Sequence, residues 1–200
     1  IKSFSGQPID TIKSAKKSLR ISTYALSNAE SGIGKKVVDE LVAASRRGIA
    51  ITVLYHAAPI AIGRPPREHE KAGFLRLMSC NGVSIRGHPD LHAKHVIADD
   101  SSGLIFTANL DGNHGLNTGI EVGVRLSKEA SQHLSVWHDS LFDAFPLELV
   151  ISPSISELSN RGGTKLVRLP SEIVVPSLSH FEEVKQVISK ISEKTTVICK

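Results

Sequence analysis

Three features of the sequence predict an α/β fold in which a mixed central β-sheet is flanked by helices. Leu19–Leu26 and Ile49–Tyr55 read as strands on either side of a helical pattern over Ser31–Arg47. Strand, helix, strand in that order implies a parallel pair with a right-handed crossover. The runs LHAKHVIA and LIFTAN flank a segment rich in turn formers, Asp99 to Gly103, and read as an antiparallel hairpin. A long amphipathic segment, Ser127–Phe145, supplies a further helix. Residues 1–146 form one predicted domain, and residues 147–200 a connector followed by a C-terminal α/β appendage.

Each element has a local cause. Pro8 suits the first turn of a helix over Pro8–Ser18, with Ile9, Ile12 and Ala15 as its apolar stripe. Lys13, Lys16 and Lys17 then form a solvated face. Ile33, Val37, Leu41 and Ala44 recur at helical spacing, and Gly48 stands where a helix ends. Ile49–Tyr55 is a continuous apolar run, as expected of a strand buried on both faces. Ala57–Glu70 holds three prolines and a glycine and reads as a loop after a sheet strand, where α/β proteins place ligand contacts. Arg64 and Arg67 within it divide evenly between substrate binding and ordinary surface charge. Glu68–Ser79 reads as a helix, Asn81-Gly82 as a turn and Val83–Arg86 as a short strand. Asp111–Asn117 is a polar loop whose His114 is a candidate substrate contact. Gly119–Leu126 alternates as a strand. In the helix after it, Ser127 is the N-cap, and Leu134, Trp137, Leu141 and Phe145 form the predicted core stripe. Residues 147–163 lose periodicity. Phe181–Glu193 reads as a helix and Thr195–Cys199 as a strand, an appendage or a link toward a further domain.

Composition narrows the function classes. The 200 residues are 40% hydrophobic and 22% charged, an ordinary globular balance with one substantial core. The net charge of +4 and the sequence pI near 9.1 suit a polyanionic substrate without demanding one. Cys80 and Cys199, far apart, give no disulfide framework, so a reducing, cytoplasmic setting is the expectation. The most apolar run, Ile49–Ile62, is broken by His56 and Pro59 and too short to span a bilayer. The chain begins at Ile1 rather than Met, so targeting signals cannot be read from its start.

The chemistry concentrates between His92 and Glu121. His92, Lys94 and Asp99 are spaced H-x-K-x4-D, and Thr107-x-Asn109 follows. Residues two apart on a strand share a face, so His92 pairs with Lys94, and Thr107 with Asn109. An imidazole, an ammonium, a hydroxyl and a carboxamide on one surface suit a phosphate diester: a nitrogen nucleophile for phosphorus, and donors for its oxygens. His88, His92 and His95, with Asp90 between them, also raise zinc. On a strand, however, His92 and His95 face opposite sides, and no cysteine is near. No metal and no cofactor are expected.

His92-x-Lys94-x4-Asp99 followed by Thr107-x-Asn109 closely resembles the signature of the phospholipase D superfamily. Residues 6–146 carry the resemblance. The family's pattern continues Gly-Ser-x-Asn. Here Phe106 stands in the glycine position and Thr107 in the serine position. Asn117-Thr118-Gly119-Ile120-Glu121 resembles the family's segment ending in a carboxylate that braces the catalytic histidine. The resemblance implies a phospholipase D-like catalytic domain over residues 1–146 that uses two motifs facing each other across a twofold axis. One motif in this chain then implies a homodimer, or a lobe from elsewhere in a longer protein. It further implies a phosphohistidine at His92, with His92 of the partner subunit protonating the leaving alcohol. Lys94 and Asn109 would hold the phosphoryl oxygens, Thr107 would add a hydrogen bond, and Glu121 would orient the imidazole. Asp99 is carried over as a catalytic candidate, with capping of the hairpin turn an equally good reading.

Substrate choice favours a nuclease acting on DNA or RNA, because of the basic pI, the single motif and the lack of membrane-docking features. Aromatic residues are only 4%, against a phospholipase or phosphatidyltransferase, and stable membrane insertion is not expected. A non-catalytic nucleic-acid-binding module is the third reading, opposed by the intact His92, Lys94 and Asn109.

Overall fold

The computed structural model describes residues 6–26, 32–56, 73, 76–88, 90–111, 115–116, 121–144, 147–151, 156–160 and 197–199. In chain order the elements are α1 (Gln7–Ser14), β1 (Ser18–Thr23), α2 (Gly32–Arg46), β2 (Ala50–His56), β3 (Val83–His88), β4 (His95–Ala98), β5 (Ser102–Phe106), β6 (Val122–Arg125), α3 (Lys128–Ala144), β7 (Leu147–Ile151), β8 (Ser156–Asn160) and β9 (Val197–Cys199). They make one mixed sheet of order β8-β7-β3-β2-β1-β4-β5-β6-β9. The predicted mixed α/β architecture is therefore the observed one.

Strand β4, near the centre of the sheet, is buried along its whole length. β1 pairs in parallel with β2, and β2 with β3. β4 runs antiparallel to β1 on the other side, with Ser22 opposite His95 and Leu19 opposite Ala98. Alternation then assigns the faces. Leu19, Ile21, Ile51, Val53, Val96 and Leu104 join Ile9, Ile12, Val37 and Leu41 in the larger core beneath α1 and α2. Leu54 joins Leu91, Leu141 and Phe142 in a smaller cluster under α3. Helix α2 ends as expected: Gly48 takes φ +82°, a conformation that favours glycine.

The α3 face differs from the predicted stripe. Ser131, Ser135, His138, Leu141 and Phe142 are buried, whereas Trp137 is 36% exposed. Phe145 lies outside the described residues. The cause is close approach. A Cβ added at Gly103 of β5 would stand 2.8 Å from Ser131 Oγ, so small residues on both elements let the helix sit near the strand. The serine hydroxyls donate back to the helix, Ser131 to the Ser127 carbonyl at 2.8 Å and Ser135 to the Ser131 carbonyl at 2.9 Å. His138 then meets His95 Nε2 at 2.9 Å through Nδ1 and Thr52 Oγ1 at 3.0 Å through Nε2.

The expected connector over residues 147–163 contains two antiparallel strands instead. β7 continues the sheet at β3, and β8 pairs with β7. At the far edge β9 pairs with β6. Of the predicted helix over Glu68–Ser79, residues 73 and 76–78 are helical and much of the rest lies outside the described residues.

Candidate active site

The candidate groups gather where β1 and β2 end and β4 begins. This is the carboxyl end of a parallel strand pair, flanked by a strand of opposite direction, a place where open α/β sheets bind ligands. His92–Lys94 lies just before β4 rather than within it. Three anchors fix this segment. Leu91 is buried in the smaller cluster. Ser22 Oγ donates to the Ala93 carbonyl at 2.8 Å, and Phe106 N–H to the Lys94 carbonyl at 3.2 Å.

The expected pairing of His92 with Lys94 is present. Lys94 Nζ lies 3.3 Å from His92 Nδ1 and donates to the His92 carbonyl at 3.0 Å. The His92 side is exposed, whereas Lys94 is only 7% exposed. Burial pushes the Lys94 ammonium below its ordinary range, and the Glu121 carboxylate pulls it back up. Glu121 is thus electrostatically coupled to the lysine. Its Oε2 accepts a hydrogen bond from Thr107 Oγ1, so its described partner is the threonine and not the imidazole expected from the sequence. Thr107 Oγ1 also accepts the Val122 N–H at 3.0 Å, which ties the end of β5 to the start of β6.

Asn109 contributes a carboxamide whose Oδ1 is buried without a hydrogen-bond partner among the described residues. A buried amide oxygen left unpaired costs about 1–3 kcal/mol; the NH2 of the same carboxamide is the group able to donate to a phosphoryl oxygen. Phe106, which stands where the family has glycine, is 5% exposed and packs into the core beneath α1 and α2. Its bulk therefore points away from the site.

Asp99 is placed differently from the other candidates. Its Oδ2 accepts the Lys16 N–H at 2.8 Å, and its Oδ1 accepts the Lys17 and Ser18 N–H groups at 2.7 and 3.0 Å. Burial raises its pKa, but the three amides outweigh that, so the carboxyl is held below the ordinary range. Asp99 follows the last residue of β4, and His92 and Lys94 precede the first. The carboxylate therefore serves the opposite end of the sheet from the imidazole. Arg64, Arg67 and His114 lie outside the described residues.

Sequence reasoning missed Tyr24 and His56. Their rings stack at 4.0 Å and 17°, and Tyr24 meets the His92 ring edge-on at 5.3 Å. Lys94 Nζ lies 5.8 Å from the Tyr24 centroid, in cation–π range. The available signal was position: Tyr24 follows β1 directly and His56 ends β2, at the carboxyl ends of parallel strands. His95, considered with His92 as a metal ligand, is buried on the α3 side against His138. Among the described residues no group of three His, Cys, Asp or Glu side chains is placed to hold a metal.

Fold and site together define a phospholipase D-like domain. Residues 9–142 match the family model described as cardiolipin synthase, PLD-like domain, and the chain belongs to that family. It is similar in fold to Nuc from Salmonella typhimurium, a phospholipase D family member, with TM-score 0.56 and 16% identity over 68% of this chain and 84% of Nuc. It is equally similar to NucT from Helicobacter pylori, with TM-score 0.56 and 15% identity over 70% of this chain and 87% of NucT. The polyphosphate kinase of Porphyromonas gingivalis shares the fold over 76% of this chain but 26% of its own, with TM-score 0.53 and 15% identity. No curated protein matches the sequence.

Proposed function

We propose that the protein is a phosphodiesterase, an endonuclease that hydrolyses the DNA or RNA backbone without a metal at a site shared by two subunits. The observation that carries this reading is the exposed His92 imidazole with the buried Lys94 Nζ 3.3 Å from its Nδ1. His92 of one subunit attacks phosphorus through its unprotonated ring nitrogen, a P–N bond forms, and the P–O bond to the leaving alcohol breaks. His92 of the partner subunit gives that oxygen its proton. Water, deprotonated by the same partner imidazole, then attacks phosphorus and releases His92. Lys94 and the Asn109 carboxamide hold the phosphoryl oxygens as negative charge builds. Glu121 acts through Thr107 and on the charge of Lys94. Asp99 acts on the fold alone.

A phospholipid diester is the second reading, favoured by the family model's own description, which names cardiolipin synthase. Among the described residues no helix is long and apolar enough to cross a membrane.

The test offers the purified protein plasmid, single-stranded DNA, RNA and phosphatidylcholine vesicles, all with EDTA present. Cleavage of nucleic acid is expected, with loss of turnover and an unchanged melting temperature in His92→Ala. Light scattering should give about twice the 21.5 kDa chain mass. Cleavage of lipid alone would favour the second reading, and undiminished cleavage by His92→Ala would exclude both.

A further inference from the structure

The end of the sheet opposite His92 carries an unusual density of positive charge. Lys16 and Lys17 precede β1, and Arg46 and Arg47 close α2 just before β2. These segments are neighbours, because Ser18 pairs with Ala50 and the Ala50 N–H donates to the Lys17 carbonyl at 3.0 Å. All four side chains are exposed, as is Lys13 at the end of α1. Acidic groups face them too. Glu40 pairs with Lys13 at 3.4 Å, and Asp99 lies beside Lys16 with its oxygens committed to backbone amides. Lys17, Arg46 and Arg47 have no ion pair with a described residue. The carbonyl end of α2 accounts for one or two cations by its dipole. It does not account for Lys16 and Lys17.

A cleft of about 540 Å³ opens alongside, lined by Arg46, Arg76, Ser45, Ser79, Gly48 and Asn81. Arg76 pairs with Asp39 at 2.6 Å, which holds the guanidinium at the cleft. The Ser45 and Ser79 hydroxyls already donate to the Asn81 and Arg76 carbonyls, so the guanidinium groups of Arg46 and Arg76 are what suits phosphate oxygens at this opening.

We infer that this pole is a second binding surface, for the phosphate backbone of a nucleic acid, resting on the nucleic-acid reading of the substrate. β1 separates it from the site. The five steps from Ser18 to Thr23, at about 3.3 Å each, span about 17 Å. A duplex rises 3.4 Å per base pair, so about five base pairs separate the two contacts. Long substrates touch both surfaces; a diester of a few atoms touches the site alone.

The test compares the full chain with the variant Lys16→Glu/Lys17→Glu/Arg46→Glu/Arg47→Glu. A Gln version of all four checks that repulsion is not the cause, and melting curves check folding. Binding of a fluorescent 30-base-pair duplex is measured across salt concentrations, and hydrolysis of bis(p-nitrophenyl) phosphate in parallel. Affinity for the duplex should fall at least tenfold in both variants and the salt dependence should flatten, while hydrolysis of the small diester is unchanged. Equal duplex affinity and salt slope in wild type and variants would overturn the inference, as would binding to phosphatidylglycerol vesicles without binding to DNA. Duplex binding through this pole by a protein that cleaves no nucleic acid would uphold the pole while removing the nuclease reading.

Discussion

Asp99 and His92 belong to one sequence motif yet act at opposite ends of a strand. The carboxylate of Asp99 satisfies three consecutive amides where α1 hands over to β1, and Asp99 itself takes φ 53°, which aspartate tolerates better than most residues. Replacing it with alanine strands those amides. Asp99→Ala should cost about 1–2 kcal/mol by analogy with lost capping residues, while the folded fraction keeps its kcat. A melting curve and a turnover assay on the same sample separate the two effects; loss of kcat at full stability would return Asp99 to the reaction. The pairing of His92 with Lys94 was legible in the sequence as a spacing of two, although both residues lie outside the strand ladder. The placing of Asp99 was not, since its partners are main-chain groups more than eighty positions away. Nor was the contact of Glu121 with Thr107, because spacing along the chain does not say which of two nearby polar groups a carboxylate reaches.

Among the elements, the segment after β5 holds a close approach of Gly115 to Asn109. A Cβ added at Gly115 would lie 2.0 Å from the Asn109 carbonyl oxygen and 2.9 Å from its backbone nitrogen. Main-chain atoms cannot swing aside as a lysine tip would, so the loop must move. Gly115→Ala should therefore displace the Asn109 carboxamide and lower kcat more than it raises KM, a split readable from steady-state rates with wild-type-like KM as the control. The central elements were legible because their causes are local: the apolar run of β2, the turn residues between β4 and β5, Gly48 after α2. The buried face of α3 was not. Hydrophobic spacing favoured Trp137, whereas the helix turns serines and His138 inward so that it can approach Gly103.

For the whole molecule, that choice sets the response to acid. His95 and His138 sit between sheet and α3. Burial, and the nearby charge of Arg20, push His138 down to about 3, and burial with the neighbouring imidazole holds His95 well below its ordinary value. The unfolded chain takes up these protons below about pH 6.5, the folded chain only far lower. Stability should thus be complete above pH 6.5 and fall as pH drops toward 3, by up to about 1.4 kcal/mol per pH unit for each histidine. His138→Gln should flatten a plot of melting temperature against pH over that range, and an unchanged slope would show that another group governs acid unfolding. Arg20 bridges Asp139 of α3 and Asp100 of the hairpin, so the same helix is tethered to the turn that follows β4. Strand β4 therefore works as a gauge block. Its length sets how far His92 stands from the latch at Asp99, and adding or deleting one residue inside it would both reverse the imidazole and unfasten the latch. Drift in the spacing of H-x-K-x4-D is penalised by folding before chemistry is ever consulted.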